Sequence, residues 1–359
     1  MKKIHASLFI RVFLITLLLL GFGLIMIYSA SVAEALRDFG NKWYFVSLQL
    51  KWAGVGLVLM LLLSRFPAAH WEKLALPLLI GGLALLLLVA IPGIGTKVQG
   101  ARRWLVLPGI TLQPSELIKF VEVVYLSSWL TKHKVTLKQF LIFLGLIAGL
   151  IMLQPDMGTA LVVTLLAIAM YYFTGAPSSH FLMIGGLGIT VVVILVAIAP
   201  YRLARFTTFL DPSKDPQGSS YHIRQVILAL GSGGMTGLGV GKSRQKYEYL
   251  PEATTDSIFA VVGEELGFIG ATLLIGTFVY LLSLIFKVAT QARHQFSASL
   301  AAGIGSWIGI QVLLNLASMV ALTPLTGVPL PLVSYGGSAL VTILAGVGLL
   351  LSVIRTEKL

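Results

Sequence analysis

Ten stretches of the chain, roughly residues 10–30, 45–64, 74–91, 115–131, 139–154, 157–174, 181–199, 258–286, 298–322 and 333–354, are almost continuously apolar. A helix crossing a bilayer consumes roughly 20 such residues, and a chain surrounded by hydrocarbon must bond its own backbone groups. Each stretch is therefore expected to be a helix. The implied fold class is all-α: a polytopic integral membrane protein with about ten transmembrane helices. The period-two alternation of an outer-membrane barrel is missing from the sequence. Composition agrees, with 57% hydrophobic and only 11% charged residues in 359 and a mean hydropathy of +0.92. Soluble domains run nearer 45–50% apolar and about 25% charged. Disorder, coiled coil and a secreted disulfide scaffold are excluded. With no cysteine there is no disulfide and no thiolate metal site.

The formal charge of +12 reports orientation and anionic membrane lipid in such a chain rather than nucleic acid. Lys2 and Lys3 ahead of the first stretch, and Ser31-Val32-Ala33 after it, resemble a secretory signal. The apolar run from Val12 to Tyr28 is longer than a signal core, so it reads as an uncleaved first span. If the N-terminus is cytoplasmic, twelve Lys and Arg fall inside and five fall in the short outer loops (Arg37, Lys42, Lys97, Arg102 and Arg103). Both termini are accordingly expected in the cytoplasm. The chain reads as one membrane domain, 1–359, with a long extracytoplasmic loop at 200–257 between spans seven and eight. No internal repeat marks an inverted-repeat transporter.

Ionisable residues inside spans are functional candidates by default. Glu116, Lys119 and Glu122 recur every three residues and share one face of the fourth span. They read either as a neutral pair that fixes helix packing or as a contact for a substrate headgroup. Glu264 and Glu265 lie in the eighth span with no basic neighbour in sequence, so one of them must face protein, water or be neutral. Asp156, in Gln154-Pro155-Asp156-Met157-Gly158, is placed to cap the sixth helix.

The outer loop carries seven basic residues, Arg202, Arg205, Lys214, Arg224, Lys242, Arg244 and Lys246, around the run Gly231 to Ser243. That run ends like a nucleotide phosphate loop, but Thr236 stands where its first glycine belongs and no strand precedes it. Glycine-rich backbone with clustered cations still suits a lipid headgroup phosphate or a lipid-linked diphosphate. A flexible basic loop resting on anionic lipid is the alternative. Thr255 or Asp256 is placed to cap the eighth span. Asp256 also suits a second role, receiving a proton from a sugar hydroxyl. Glu264 lies eight residues on, about 12 Å of helix, too far to share that proton.

Five motifs in order extend along the chain: Gly100-Ala101-Arg102-Arg103-Trp104-Leu105; Gln113-Pro114-Ser115-Glu116 with Lys119; Gln154-Pro155-Asp156 with Gly158; Gly231 through Lys246 and Pro251-Glu252 to Thr255-Asp256 and Glu264-Glu265-Leu266-Gly267; and Pro329-Leu330-Pro331 with Ser334-Tyr335-Gly336-Gly337-Ser338. With them the sequence resembles the shape, elongation, division and sporulation (SEDS) family over its whole length. Thr326 to Pro331 is more similar to the rod-shape branch than to the division branch. The resemblance implies a peptidoglycan glycosyltransferase that polymerises lipid II at the outer face of the bacterial cytoplasmic membrane, for elongation and cell shape. It also implies a class B penicillin-binding protein as partner, and it maps the catalytic acid to Asp256. Family members commonly carry His and Phe where this chain has Thr254 and Ser257. They commonly carry Gln and Ser where it has His222 and Val226.

An α-linked donor and a β-linked product require inversion, hence in-line attack and one general base. Asp256 is assigned that role. Arg102, Arg103, Lys242, Arg244 and Lys246, with Arg202 and Arg205, are expected to hold the diphosphate. Trp104 is expected to stack on a sugar or anchor its loop at the boundary. Ser334, Gly336 and Gly337 would let a lipid tail or a helix approach closely. A divalent cation, Mg or Mn, would supplement the cations, although no dedicated ligand cluster is visible. Two other classes remain open: a flippase for the same lipid-linked oligosaccharide, and a non-enzymatic scaffold for the penicillin-binding protein.

Overall fold

The computed structural model describes residues 2–98, 101–107, 110–198, 203, 207, 220–245 and 250–357. Arg202, Arg205 and Lys246 lie outside the described residues. Eleven helices are described: α1 Lys2–Phe39, α2 Tyr44–Leu63, α3 Ala68–Ala90, α4 Pro114–Lys132, α5 Leu137–Met152, α6 Met157–Phe173, α7 Ser178–Ile198, α8 Tyr221–Gly233, α9 Ile258–Gln291, α10 Gln295–Met319 and α11 Gly337–Thr356. All but α8 fall on the ten apolar stretches. Six of them, α1, α2, α3, α9, α10 and α11, are long and apolar enough to cross a membrane, while α5, α6 and the stretch Ser178–Ile194 of α7 are apolar but shorter. The protein is thus polytopic and helical.

Burial sorts these helices into an inner and an outer set. The most apolar windows of α10 and α11 are 72% and 83% buried, whereas those of α1, α2, α3 and α9 are 28–33% buried. The outer helices leave Leu18, Val58, Ile80 and Leu273 exposed, as expected of faces solvated by acyl chains. Packing between α2 and α11 depends on small residues. A Cβ at Gly348 would stand 2.7 Å from the Met60 carbonyl oxygen, and one at Gly56 would stand 2.6 Å from Leu344.

Four local features depart from the expected layout. Residues 96–112 carry a small antiparallel meander, β1 Thr96–Val98, β2 Ala101–Leu107 and β3 Ile110–Leu112, in the order β1-β2-β3. Such short strands leave too brief an alternation to stand out beside the spans. The amphipathic α8 lies within the stretch expected to be a loop. Helix α9 is broken at Gly267, whose φ of 67° and ψ of −167° are not helical. The last helix starts at Gly337, not near 333, because Pro331, Leu332 (φ 64°) and their neighbours form turns.

Candidate active site

Asp256 sits on a turn just before α9 and is partly exposed, between the buried residues Thr254 and Ser257. The turn is closed locally: the Glu252 carbonyl accepts from the amides of Thr255 (3.1 Å) and Ser257 (3.0 Å). It is then fixed from outside at three consecutive carbonyls. The Tyr335 amide donates to Thr254 (2.9 Å), the Ser334 hydroxyl to Thr255 (2.6 Å), and the Asn315 side-chain amide to Asp256 (2.8 Å). Asn315 also donates to the Val328 carbonyl at 2.8 Å. Buried carbonyls need such partners, and here the partners come from α10 and from the turn before α11. Ser334 is held in its own right, accepting from the Leu330 amide at 2.8 Å. Gln49 of α2 donates to the Ser334 carbonyl (3.3 Å) and accepts from the Gly336 amide (3.2 Å).

The expected cap at the start of α9 is corrected by this geometry. The N-cap residue is Ser257; neither Thr255 nor Asp256 occupies that position. Asp156, in contrast, does cap α6, accepting from the Thr159 amide (3.1 Å) and hydroxyl (2.9 Å). Ser334, Gly336 and Gly337 serve contacts within the chain. A Cβ at Gly337 would stand 2.5 Å from the Trp52 ring, so the close approach made there is by α2.

The paired arginines sit at a bulge of β2: Thr96 of β1 pairs with Trp104 and Lys97 with Arg102, so Arg103 is the inserted residue. Arg102, Arg103 and Trp104 are all partly exposed, between the buried Ala101 and Leu105. Arg103 donates from Nε to the Gln154 carbonyl (3.1 Å) and from Nη2 to that of Pro155. Close by in sequence, α6 abuts another segment: a Cβ at Gly158 would meet the Thr326 carbonyl oxygen at 2.2 Å. A Cβ at Gly327 would in turn lie 3.3 Å from Oδ2 of Asp256. These contacts bring Arg103, the Pro155 turn and the acid to one end of the helix bundle.

The glycine-rich run has a structural task that its sequence did not announce. The break at Gly267 strips α9 of helical bonds, and the segment 234–239 replaces them. Leu238 and Gly239 donate their amides to the carbonyls of Glu264 and Glu265, each at 3.0 Å. Phe268 and Ile269 donate to those of Gly234 (2.9 Å) and Met235 (3.1 Å). Backbones this close exclude side chains: Cβ atoms at Gly233, Gly237 and Gly267 would lie 2.0, 2.2 and 2.3 Å from main-chain atoms. The side chains of Glu264 and Glu265 then anchor residues 243 and 244. The carboxylate of Glu264 accepts from the Ser243 hydroxyl and the Arg244 amide (2.9 Å), and that of Glu265 accepts from the Ser243 amide (3.2 Å) and the Ser29 hydroxyl (2.6 Å). With Ser243 buried, Lys242 and Arg244 on either side of it are exposed.

In α4, Lys119 Nζ lies 2.7 Å from Glu116 Oε1, with both residues buried. Glu122 is fully buried, and neither of its carboxylate oxygens has a hydrogen-bond partner among the described residues. Among the described residues no three His, Asp or Glu side chains converge as metal ligands. Sequence reading missed Asn315 and Gln49. Their one signal was a carboxamide in a largely apolar span, which marks a polar group but not its partner.

The chain matches the family model described as "Cell cycle protein", FTSW_RODA_SPOVE, over residues 10–359. It is 40% identical to stage V sporulation protein E of Bacillus subtilis over 352 residues, covering 96% of each chain. It is 42% identical over 344 residues to the "Probable peptidoglycan glycosyltransferase FtsW" of Nitrosococcus halophilus, covering 93% of this chain and 89% of that protein. Among solved structures, one chain reported under "Structural coordination of polymerization and crosslinking by a peptidoglycan synthase complex" superposes with a TM-score of 0.80 at 29% identity. The rod shape determining protein RodA of Thermus thermophilus superposes with a TM-score of 0.72 at 28% identity. Each covers 97% of both chains. Sporulation, division and rod-shape proteins all figure among these relatives, so they do not separate the branches. With the family match spanning nearly its whole length, this chain belongs to the FtsW, RodA and SpoVE family of bacterial membrane proteins.

Proposed function

We propose that this protein is a peptidoglycan glycosyltransferase that polymerises lipid II, with Asp256 as its general base. The observation that carries the reading is the acid turn: a partly exposed carboxylate on a backbone tied at three successive carbonyls. A base held this way keeps its orientation while its side chain remains reachable. The glycosyltransferase names of relatives about 40% identical over nearly the whole chain support the same chemistry.

The acceptor is the 4-hydroxyl of the N-acetylglucosamine of one lipid II molecule. Its proton passes to the Asp256 carboxylate as the oxygen attacks the anomeric carbon of the donor. The bond from that carbon to the diphosphate oxygen breaks, and the lipid diphosphate leaves with the electron pair. Neutralising cations let such a group depart without a second carboxylic acid. Lys242, Arg244 and Arg102 are the described cations assigned to it, with Arg103 held by the Pro155 turn. Trp104, on the same strand β2 as the two arginines, would meet the sugar.

The site faces outward from the cytoplasmic membrane, both termini lie inside, and residues 200–257 form the outer segment, in keeping with the distribution of Lys and Arg. A class B penicillin-binding protein is the proposed partner, and elongation the proposed setting. The test is polymerisation of lipid II, resolved on gels, by the full chain with that partner and by Asp256→Asn alongside. The expected result is glycan from the native chain and none from a variant that still inserts and binds lipid II. Glycan from Asp256→Asn overturns the assignment of the base. Transport of lipid II across liposomes by a native chain that makes no glycan would favour a flippase.

A further inference from the structure

Serine is among the strongest helix N-caps, and Ser257 occupies the N-cap of α9, yet its hydroxyl makes no cap hydrogen bond. It lies instead 2.7 Å from Nε2 of His222, on α8. Ser257 is fully buried and His222 partly so. A residue that forgoes its local bond for a tertiary one marks a place where the wider structure sets the requirement. The neighbour in question is Asp256, one residue away.

From these observations we infer that His222 is a positioning residue for Asp256, acting through the Ser257 hydroxyl. This inference rests on the assignment of Asp256 as base. The contacts already described hold the acid turn through Asn315 of α10 and through Ser334 and Tyr335 before α11. His222 adds a further hold, at Ser257. It also binds that turn to α8, which leads directly into the glycine-rich segment and so to Lys242 and Arg244. One bond thus sets the base relative to the cations that would meet the leaving group. Either partner can supply the hydrogen: a neutral ring accepts from the hydroxyl or donates to it, and a charged ring donates. A glutamine at 222 could make the same bond, which alanine cannot.

Two residues that act through one shared bond show non-additive losses. The experiment measures kcat and KM for polymerisation of fluorescently labelled lipid II by the full chain, reconstituted in liposomes with a class B penicillin-binding protein. Native chain, Asp256→Asn, His222→Ala, Ser257→Ala, the double alanine variant and His222→Gln are compared, with melting temperature followed for each. Each single alanine variant is expected to lower kcat about tenfold with KM within about twofold. The double variant is expected to lose no more than either single one, and His222→Gln to recover to within about threefold of native.

Native kcat in His222→Ala overturns the inference, as does a double-variant loss equal to the product of the single losses. So does a His222→Gln variant that folds but remains as slow as alanine. Activity in Asp256→Asn strikes the underlying assignment instead, and is read from a separate arm. If His222→Ala lowers the melting temperature, the Ser257→Ala and His222→Gln arms still decide, since neither leaves a large void.

Discussion

The side-chain amide of Asn315 spans two segments, donating to the carbonyl of Asp256 and to that of Val328, each at 2.8 Å. One residue near the end of α10 thereby sets the spacing between the acid turn and the segment before α11. Replacing Asn315 with leucine removes both donors and leaves each carbonyl to find another partner, at about 1–3 kcal/mol for each buried one. The expected outcome is a lowered melting temperature and at least a tenfold loss of lipid II polymerisation. A variant with native activity would detach the acid turn from α10.

Arg102 and Arg103 are neighbours in sequence with different work. Arg103→Ala frees the carbonyls of Gln154 and Pro155 and is expected to lower thermal stability along with activity. Lysine should restore it poorly, because one ammonium does not reproduce a planar fork. Arg102→Ala should leave the melting temperature unchanged and weaken lipid II binding, seen as a raised KM. Equal effects on stability from the two variants would contradict a structural role specific to the Arg103 hydrogen bonds.

The kink in α9 predicts a sharp contrast between two glycines. Gly267→Ala combines a φ of 67° with a Cβ placed 2.3 Å from the Gly237 amide nitrogen. The conformation alone costs about 1 kcal/mol or more, and the collision forces the glycine-rich segment off the helix. Gly276 lies in the same helix with nothing within 4 Å of an added Cβ. Gly276→Ala should melt like the native chain, whereas Gly267→Ala should melt lower and lose activity. Size-exclusion chromatography after graded heating would measure both.

The buried pair in α4 predicts a compensating double variant. Removing one partner strands a charge, which costs about 3–5 kcal/mol for a buried pair. Glu116→Gln or Lys119→Met alone should therefore yield poorly folded protein. Glu116→Gln combined with Lys119→Met removes both charges and should recover most of the folded yield. A double variant no better than its parents would assign the pair a role beyond mutual neutralisation.

The helical spans and the family were legible in the sequence by themselves. Insertion into hydrocarbon is decided stretch by stretch, because each segment must satisfy its own backbone and present apolar side chains. Asp256 was legible as the candidate acid, since it stands in a run of motifs that survives without any knowledge of contacts. What only the tertiary structure decided is how the parts meet. The Asn315, Ser334 and Tyr335 bonds to residues 254–256 join segments 59 to 81 positions apart, and no local pattern encodes such pairings. The glycines between 231 and 241 read as a phosphate cradle, and only the broken helix showed which backbone they also approach. Arg102 and Arg103 read as one cluster in the sequence, and only the packed structure showed Arg103 bonded to the Gln154 and Pro155 carbonyls. Hydropathy is a property of a segment, whereas a hydrogen bond between distant segments exists only after helices have packed, and that is where this site is made.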